Sequence, residues 1–426
     1  MCKLNFIDLF AGAGGLSEGF IRAGYYPVAH IEMDKYACDT LKTRAAFHCL
    51  KAQNKLDIYK KYLYEKQEKE DGSKLWAQVP KEITDSVIHE AIGENTLKSI
   101  FDKVDKLKGK QKIDIIIGGP PCQAYSVIGR ARMKEKVLDD PRNELYKYYV
   151  KFLERYQPKM FVFENVLGIL TAKNGEPLAD LKRLVRELGY EIELKVQIAS
   201  NHGVLQHRQR VIIVGWKTSE NGKPTKYHYP ELNAEENHFK ILKDLFADLK
   251  NIKSGEGKLC EPVKYQKSLS EMDYLQQSQI RNSEFDFTTQ HIARPNNETD
   301  REIYRRAVEM WKNGERINYS KLPPELQKHK NTKTFLNRFQ VVNPDGCCHT
   351  VVAHIAMDGH YYIYPTSNPT VENVRSITIR EAARIQSFPD DFYFEGSRSA
   401  AFKQIGNAVP VVMAHKIAEE LKEQLR

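Results

Sequence analysis

The chain lacks any long apolar run. Nothing in its 426 residues is hydrophobic for long enough to cross a bilayer as a helix, so no membrane role is expected. It also lacks a secretory leader. Met1-Cys2-Lys3-Leu4-Asn5-Phe6-Ile7-Asp8 is already strand-like and carries an acid. Cysteine is scarce and scattered. Cys2, Cys38, Cys49, Cys122, Cys260, Cys347 and Cys348 are odd in number, form no Cys-x-x-Cys pair and have no histidine at zinc spacing. A disulfide frame and a zinc site are therefore disfavoured, no metal is expected, and a reducing cytoplasm fits. There is no internal repeat and no low-complexity tail. What is there is ordinary for a soluble globular protein, with 41% hydrophobic and 28% charged residues. The length allows two domains and a large core. The net charge of +9 is compatible with a polyanionic partner.

The first fifty residues read as strand, glycine turn, helix, strand and acid. A strand covers 4–10, and Ala11-Gly12-Ala13-Gly14-Gly15 is the turn. Ser17 is placed to cap a helix that runs to about Ala23 and is stopped by Gly24. Pro27-Val28-Ala29-His30-Ile31 is a second strand, ending at Glu32. Glu32 follows Gly12 by twenty residues, the offset at which an acid reaches a ribose hydroxyl in nucleoside-binding α/β folds. Ser17 stands where a dinucleotide fingerprint has its third glycine, and no Gly-Lys-Ser/Thr follows. The turn reads either as a site for a nucleoside without a pyrophosphate or as a tight turn before a helix. Residues 51–111 are rich in lysine and glutamate, with Leu56, Tyr59, Tyr62 and Leu63 at helical spacing. They read as inserted surface helices, with a loop at Glu70-Asp71-Gly72-Ser73.

A second strand end is more pointed. Ile113-Asp114-Ile115-Ile116-Ile117 predicts a short strand buried on both faces. Gly118-Gly119-Pro120-Pro121 ends it abruptly, and the next side chain is Cys122. A thiol there is either a buried structural residue or a nucleophile. The carboxyl end of a parallel strand, where open α/β sheets place their chemistry, favours the nucleophile. Met160-Phe161-Val162-Phe163 predicts another buried strand, ending in Glu164-Asn165-Val166. A strand is expected over 189–198. Gln206-His207-Arg208-Gln209-Arg210 leads into Val211-Ile212-Ile213-Val214-Gly215, and alternation puts Arg208 and Arg210 on one side. Both could be surface charges, or could serve an anionic ligand or a fixed carboxylate.

From Trp216 to about Arg338 the βαβ rhythm is lost. Lysine plus arginine number 22 and aspartate plus glutamate 18 across 217–338, so no basic face is concentrated there. A second domain is expected. Residues 340–365 look like strands about a hairpin at Met357-Asp358-Gly359-His360. Thr378 is placed to cap a helix over 379–385. Gln404-Ile405-Gly406-Asn407-Ala408-Val409-Pro410 reads as a turn before a final amphipathic helix.

Six segments, in order, resemble the DNA (cytosine-5) methyltransferases of bacterial restriction-modification systems. They are Phe10-Ala11-Gly12-Ala13-Gly14-Gly15, Pro120-Pro121-Cys122-Gln123, Glu164-Asn165-Val166, Gln206-x-Arg208-x-Arg210, Arg380-Glu381-Ala382-Ala383-Arg384 and Gly406-Asn407-x-Val409-Pro410. The resemblance covers about 1–50, 112–215 and 370–426, while 217–369 matches nothing that can be aligned. It implies an α/β fold: a Rossmann-like, S-adenosylmethionine-dependent mixed sheet with a smaller target-recognition domain. Residues 1–216 would form the catalytic and cofactor-binding domain, with 51–111 as a helical insertion and 401–426 completing it. Residues 217–400 would carry target recognition and a supporting helix.

The chemistry the resemblance implies suits these residue types. Cytosine C5 is a poor nucleophile until a thiolate adds at C6, and Cys122 would supply it. Glu164 would hold or donate a proton at N3. Arg210 would orient that carboxylate and the base O2, and Arg208 would help hold the cysteine loop or the substrate. The target base must be flipped out of the duplex, with Gln123, Ser126 and Gln206 as DNA contacts. S-adenosylmethionine is the implied methyl donor. Phe10, Ala11, Gly12, Gly14, Gly15, Glu32, Met33, Pro120, Leu145, Asn407 and Val409 would line its pocket. Asp57 is the candidate acid for the adenine amino group. Double-stranded DNA is the expected partner of a monomer in the bacterial cytoplasm, alongside any cognate restriction endonuclease acting on the same site. Two other readings stay open: an RNA (tRNA) cytosine-5 methyltransferase and a catalytically inactive DNA-binding protein. Amino-group methyltransferases place an Asp/Asn-Pro-Pro-aromatic motif where this chain has Pro-Pro-Cys-Gln, and are discounted.

Overall fold

The computed structural model describes residues 3–121, 144–235, 237–328 and 333–426. Cys122, Gln123 and Ser126 lie outside the described residues. The organising element is a seven-stranded sheet. Its strands are β1 (Asn5–Leu9), β2 (Tyr26–Glu32), β3 (Val87–His89), β4 (Ile115–Gly118), β5 (Met160–Asn165), β6 (Tyr190–Ile198) and, after the two-residue β7 (Gln206–His207), β8 (Gln209–Lys217). The order across the sheet is β3-β2-β1-β4-β5-β8-β6. Strands β3 to β5 pair in parallel, and β8 runs antiparallel to both β5 and β6. This is the mostly parallel mixed sheet that the sequence predicts.

The triple isoleucine of β4 shows why it is central. Ile116 packs into one core and Ile115 and Ile117 into the other, so the strand is apolar on both faces. On one face lie α1 (Gly15–Arg22) and the last helix of the chain, Val411–Leu425. Phe6, Leu16 and Phe20 meet Met413, Ala414, Ile417 and Leu421 there. Gly19 makes this possible, because a side chain at 19 would overlap the backbone at Ala414 and His415. Helices Leu97–Lys108, Leu145–Tyr156 and Glu176–Glu187 cover the other face, through Ile100, Val104, Phe152, Leu153, Leu181 and Val185.

Several local expectations are corrected. Gly14, not Ser17, precedes the first helix, at φ +85°. Ser17 sits inside it and its Oγ donates to the Gly14 carbonyl. Segment 51–111 is not all peripheral. Its second half supplies edge strand β3 and the helix Leu97–Lys108 that packs on the sheet. Three-residue β3 is too short to show a period inside lysine-rich surroundings. Around 357–360 no hairpin forms among the described residues. Ala353–Ala356 is a 3-10 turn, and Val341 bridges Ile363 in parallel. Residues 404–407 finish a helix, Arg398–Asn407, so the turn is shortened to 408–410.

The capping of Ile379–Ile385 by Thr378 is as predicted: Thr378 Oγ1 accepts from Glu381 N, and the Glu381 carboxylate accepts from Thr378 N. The charges of this helix turn inward. Arg384 pairs with Asp248 and Asp390, Arg375 pairs with Glu381, and Asp248 also meets Arg281 at 2.9 Å. All six side chains are buried, and they tie 248–281 to 375–390. Among the described residues no helix is long and apolar enough to cross a membrane.

Candidate active site

Three strand ends converge on the site. At the first, the chain leaves β1 through Phe10, Gly12 and Gly14, all with left-handed φ (+58°, +54° and +85°). The turn thereby aims its backbone N–H groups at the end of β2. Glu32 answers: its Oε2 accepts from Gly12 N at 2.8 Å, and its Oε1 accepts from Met33 N at 2.8 Å and Asp34 N at 2.7 Å. Three backbone donors hold the carboxylate. Beside it Met33 is 65% exposed, an apolar surface at a strand end. Residues from the far end of the chain close the turn. A side chain at Gly15 would overlap the Val409 carbonyl and touch Ala408. Val409 is buried against this layer, and Asn407 is exposed at the end of its helix.

Under the turn lies a buried polar layer that the sequence did not reveal. Asp8 and His30 are partners across β1 and β2. Burial pushes the Asp8 carboxyl well above its usual range, with Glu32 adding to the shift against the Ser17 hydroxyl. Burial, with His48 nearby, pushes His30 down to about 4.

The second and third strand ends carry Gly118-Gly119 and Glu164. Gly119 leaves the space in which the Glu164 carboxylate lies; a Cβ there would overlap Oε2 and stand 2.9 Å from the Glu164 main-chain oxygen. Asn165 Nδ2 donates to the carbonyl of buried Pro120 at 3.3 Å, so the loop is gripped just before Cys122. Arg210 Nε lies 2.6 Å from Glu164 Oε1, and both side chains are largely buried. Burial pushes the Arg210 guanidinium down and the Glu164 carboxylate opposes this. The pair is a carboxylate with one oxygen against a cation and the second beside the loop that leads to Cys122.

A match to the C-5 cytosine-specific DNA methylase model spans residues 4–69 and 82–423. The chain belongs to the C-5 cytosine-specific DNA methylase family. It is 39% identical to the type II methyltransferase M.Bpa9945I of Bacillus paralicheniformis, over 98% of each chain. It is 30% identical to the type II methyltransferase M.XorII of Xanthomonas oryzae pv. oryzae, over 99% of this chain and 85% of that one. The methyltransferase EhMeth of Entamoeba histolytica shares the fold, with a TM-score of 0.54 at 17% identity and full coverage of both chains.

In this methylase several residues take places other than those expected. Arg208 and Arg210 hold different partners, although Arg210 and Glu164 both act electrostatically on Arg208. Arg208 sits at the break between β7 and β8, wholly buried, and its Nη1 and Nη2 donate to the carbonyls of Val351 (2.7 Å) and Gly406 (3.1 Å). Gln206 is not placed to touch DNA. It too is wholly buried, donating to Ile385 O and Gln386 Oε1 and accepting from Val351 N. Asp57 projects into solvent, 98% exposed, because Tyr59 and Leu63 turn the other face of its helix (Leu56–Glu65) into the core. Glu90, directly after β3, is a second acid beside Glu32: its backbone N donates to the Glu32 carbonyl at 3.0 Å and its carboxylate meets Lys103 and Ser99. Its signal was the acid directly after β3, which the lysine-rich context hid. Leu145 opens its helix half-buried.

Proposed function

We propose that this DNA (cytosine-5) methyltransferase acts on a cytosine flipped out of duplex DNA, through a covalent bond between Cys122 and C6. The observation that carries the reading is the Glu164–Arg210 pair, set against Gly119 at the entry to the Cys122 loop. The residues fit S-adenosylmethionine on one point of geometry. The Glu32 carboxylate is held by three backbone N–H groups at the end of β2, the place and charge suited to a ribose diol, with Met33 exposed beside it for the base. S-adenosylmethionine bound there supplies an electrophilic methyl group.

The chain's own residues do the rest. The Cys122 thiolate adds to C6 while Glu164, held by Arg210, supports the proton at N3, so that electron density moves to C5. After methyl transfer, loss of the C5 proton and cleavage of the C6–S bond restore the aromatic ring and the thiolate. Residues 217–400 would carry target recognition, braced by the buried Asp248–Arg384–Asp390 network. By likeness to its type II relatives, the enzyme would be the modification partner of a restriction endonuclease, working as a monomer in a bacterial cytoplasm. The match to a DNA methylase model over most of the chain favours DNA over RNA, and the assembled Glu164–Arg210 pair favours an active enzyme.

Duplex DNA carrying 5-fluorocytosine tests the mechanism, since C5 then has no proton to lose. Wild type should give a protein–DNA band that survives denaturation, and Cys122→Ser should give none. A band from the serine variant would move the nucleophile elsewhere.

A further inference from the structure

Between 333 and 361 the chain holds an aromatic ring away from itself. Phe335 is 54% exposed and its φ is +55°, a conformation that bulky residues adopt only where their surroundings impose it. The surroundings are explicit. Buried Arg338 donates from Nε to the Phe335 carbonyl and from Nη2 to the Thr334 carbonyl, each at 2.9 Å. Its guanidinium lies 4.3 Å over the Tyr319 ring. Tyr319 N donates to Leu336 O at 2.8 Å, and its ring stacks on Phe339. Both rings belong to a core with Ile303, Tyr304 and Ile363. The turn is thus pinned from inside on both sides of Phe335. Exposing an apolar ring on a fixed, strained turn contributes nothing to folding.

The same core leads to the chemistry. The Phe339 ring lies 4.7 Å from His360, and Gln340 N donates to the His360 carbonyl. His360 ends a segment that begins at Cys348–His349, paired with Gln206–His207 just before Arg208. That segment gives Arg208 its acceptor at Val351 and carries Met357, 75% exposed. Among the described residues beyond 217, Phe335 and Met357 are the large apolar side chains left exposed. They stand on turns that adjoin through His360, and Met357 lies on the segment that holds Arg208, two residues before the Arg210 that meets Glu164. The chain belongs to a family of DNA methylases and its net charge is +9, so DNA is the partner to which exposed apolar side chains on this side of Arg208 are matched.

We propose that Phe335 is a specificity-determining residue that packs its ring against a thymine methyl in a groove of the bound duplex, with Met357 as a second apolar contact. This rests on the reading of the chain as a methylase of duplex DNA. Contacts of this kind read sequence, whereas contacts to phosphate do not.

The test begins with bisulfite sequencing of DNA from expressing cells, which yields the methylated site. The kcat/KM is then measured on that duplex and on each single-base-pair substitute, for wild type, Phe335→Gly, Phe335→Ala and Phe335→Trp. Phe335→Gly relieves the left-handed strain, so its melting temperature should equal or exceed wild type. Its binding of S-adenosylmethionine should be unchanged. Its discrimination at one base pair should fall on the order of tenfold, and Phe335→Trp should retain it. Wild-type ratios at every position in the glycine and alanine variants would overturn the proposal. So would an equal loss on all sequences, which marks a non-specific contact. A wild type that methylates no duplex would refute the methylase reading itself, and this proposal with it.

Discussion

Gly119→Ala is the most economical probe of the site, because it adds one methyl group and removes nothing. The added Cβ would overlap Glu164 Oε2 and stand 2.9 Å from the Glu164 main-chain oxygen, where ordinary contact begins at 3.4 Å. The main chain there belongs to β5, where Glu164 pairs with Ile212 of β8, so the carboxylate is the part that yields. Clearing the overlap takes about 1 Å, a displacement that costs about 10²-fold when it misplaces a catalytic group. It also pulls the carboxylate from Arg210, now 2.6 Å away. A fall in kcat of about 10²-fold corresponds to about 2.7 kcal/mol of barrier. The strain itself should destabilise the fold by about 1–3 kcal/mol, the usual cost of overpacking. The assay is transfer of labelled methyl groups to a duplex at saturating S-adenosylmethionine, with cofactor affinity measured separately and expected unchanged. The double variant with Glu164→Gln should be no slower than the slower single variant, since both act through one carboxylate. Wild-type kcat in Gly119→Ala, or full additivity in the double variant, would refute the argument.

Glu164→Gln alone keeps the shape but cannot supply a proton at N3, so kcat should fall on the order of 10²-fold or more with DNA binding little changed; undiminished turnover would make this acid structural. Arg208→Met strands the carbonyls of Val351 and Gly406 in a dry interior, and the urea midpoint should drop by the equivalent of about 3 kcal/mol. Arg208→Lys should recover only part of this, lacking the fork; a midpoint equal to wild type in Arg208→Met would show that the clamp contributes nothing. His30 titrates near 4 when folded, against about 6.5 when unfolded. Between these values the unfolded chain binds the extra proton, so the contribution of His30 to stability is lost as pH falls from about 6.5 to about 4, by up to about 3 kcal/mol. The difference in unfolding free energy between wild type and His30→Asn should therefore slope across that window, and a flat difference would contradict the assignment.

The sequence by itself determined the parts whose signals are local. A run of isoleucines stopped by Gly118-Gly119-Pro120-Pro121 can only be a short buried strand with an abrupt end. Glu164 after Met160-Phe161-Val162-Phe163 is equally plain, and so is Thr378 three residues before Glu381. The twenty-residue offset from Gly12 to Glu32 is realised as a hydrogen bond of 2.8 Å, because a strand–turn–helix–strand unit of that length returns the chain beside its start. Tertiary structure alone decided what depends on distant segments. Arg208 and Arg210 are two residues apart, yet one holds Val351 and Gly406 and the other holds Glu164, because the fold brings those distant segments against Arg208 alone. Gln206 reads as a polar residue fit for DNA and is instead consumed by Ile385, Gln386 and Val351. Asp57 faces solvent for the same reason, its helix turning Tyr59 and Leu63 into the core. Periodicity reports which face of a segment is buried, not which other segment buries it, and a three-residue edge strand has no periodicity to report. The glycine turn is closed by residues almost four hundred positions away, and only the burial of the last helix on the first strand brings them together.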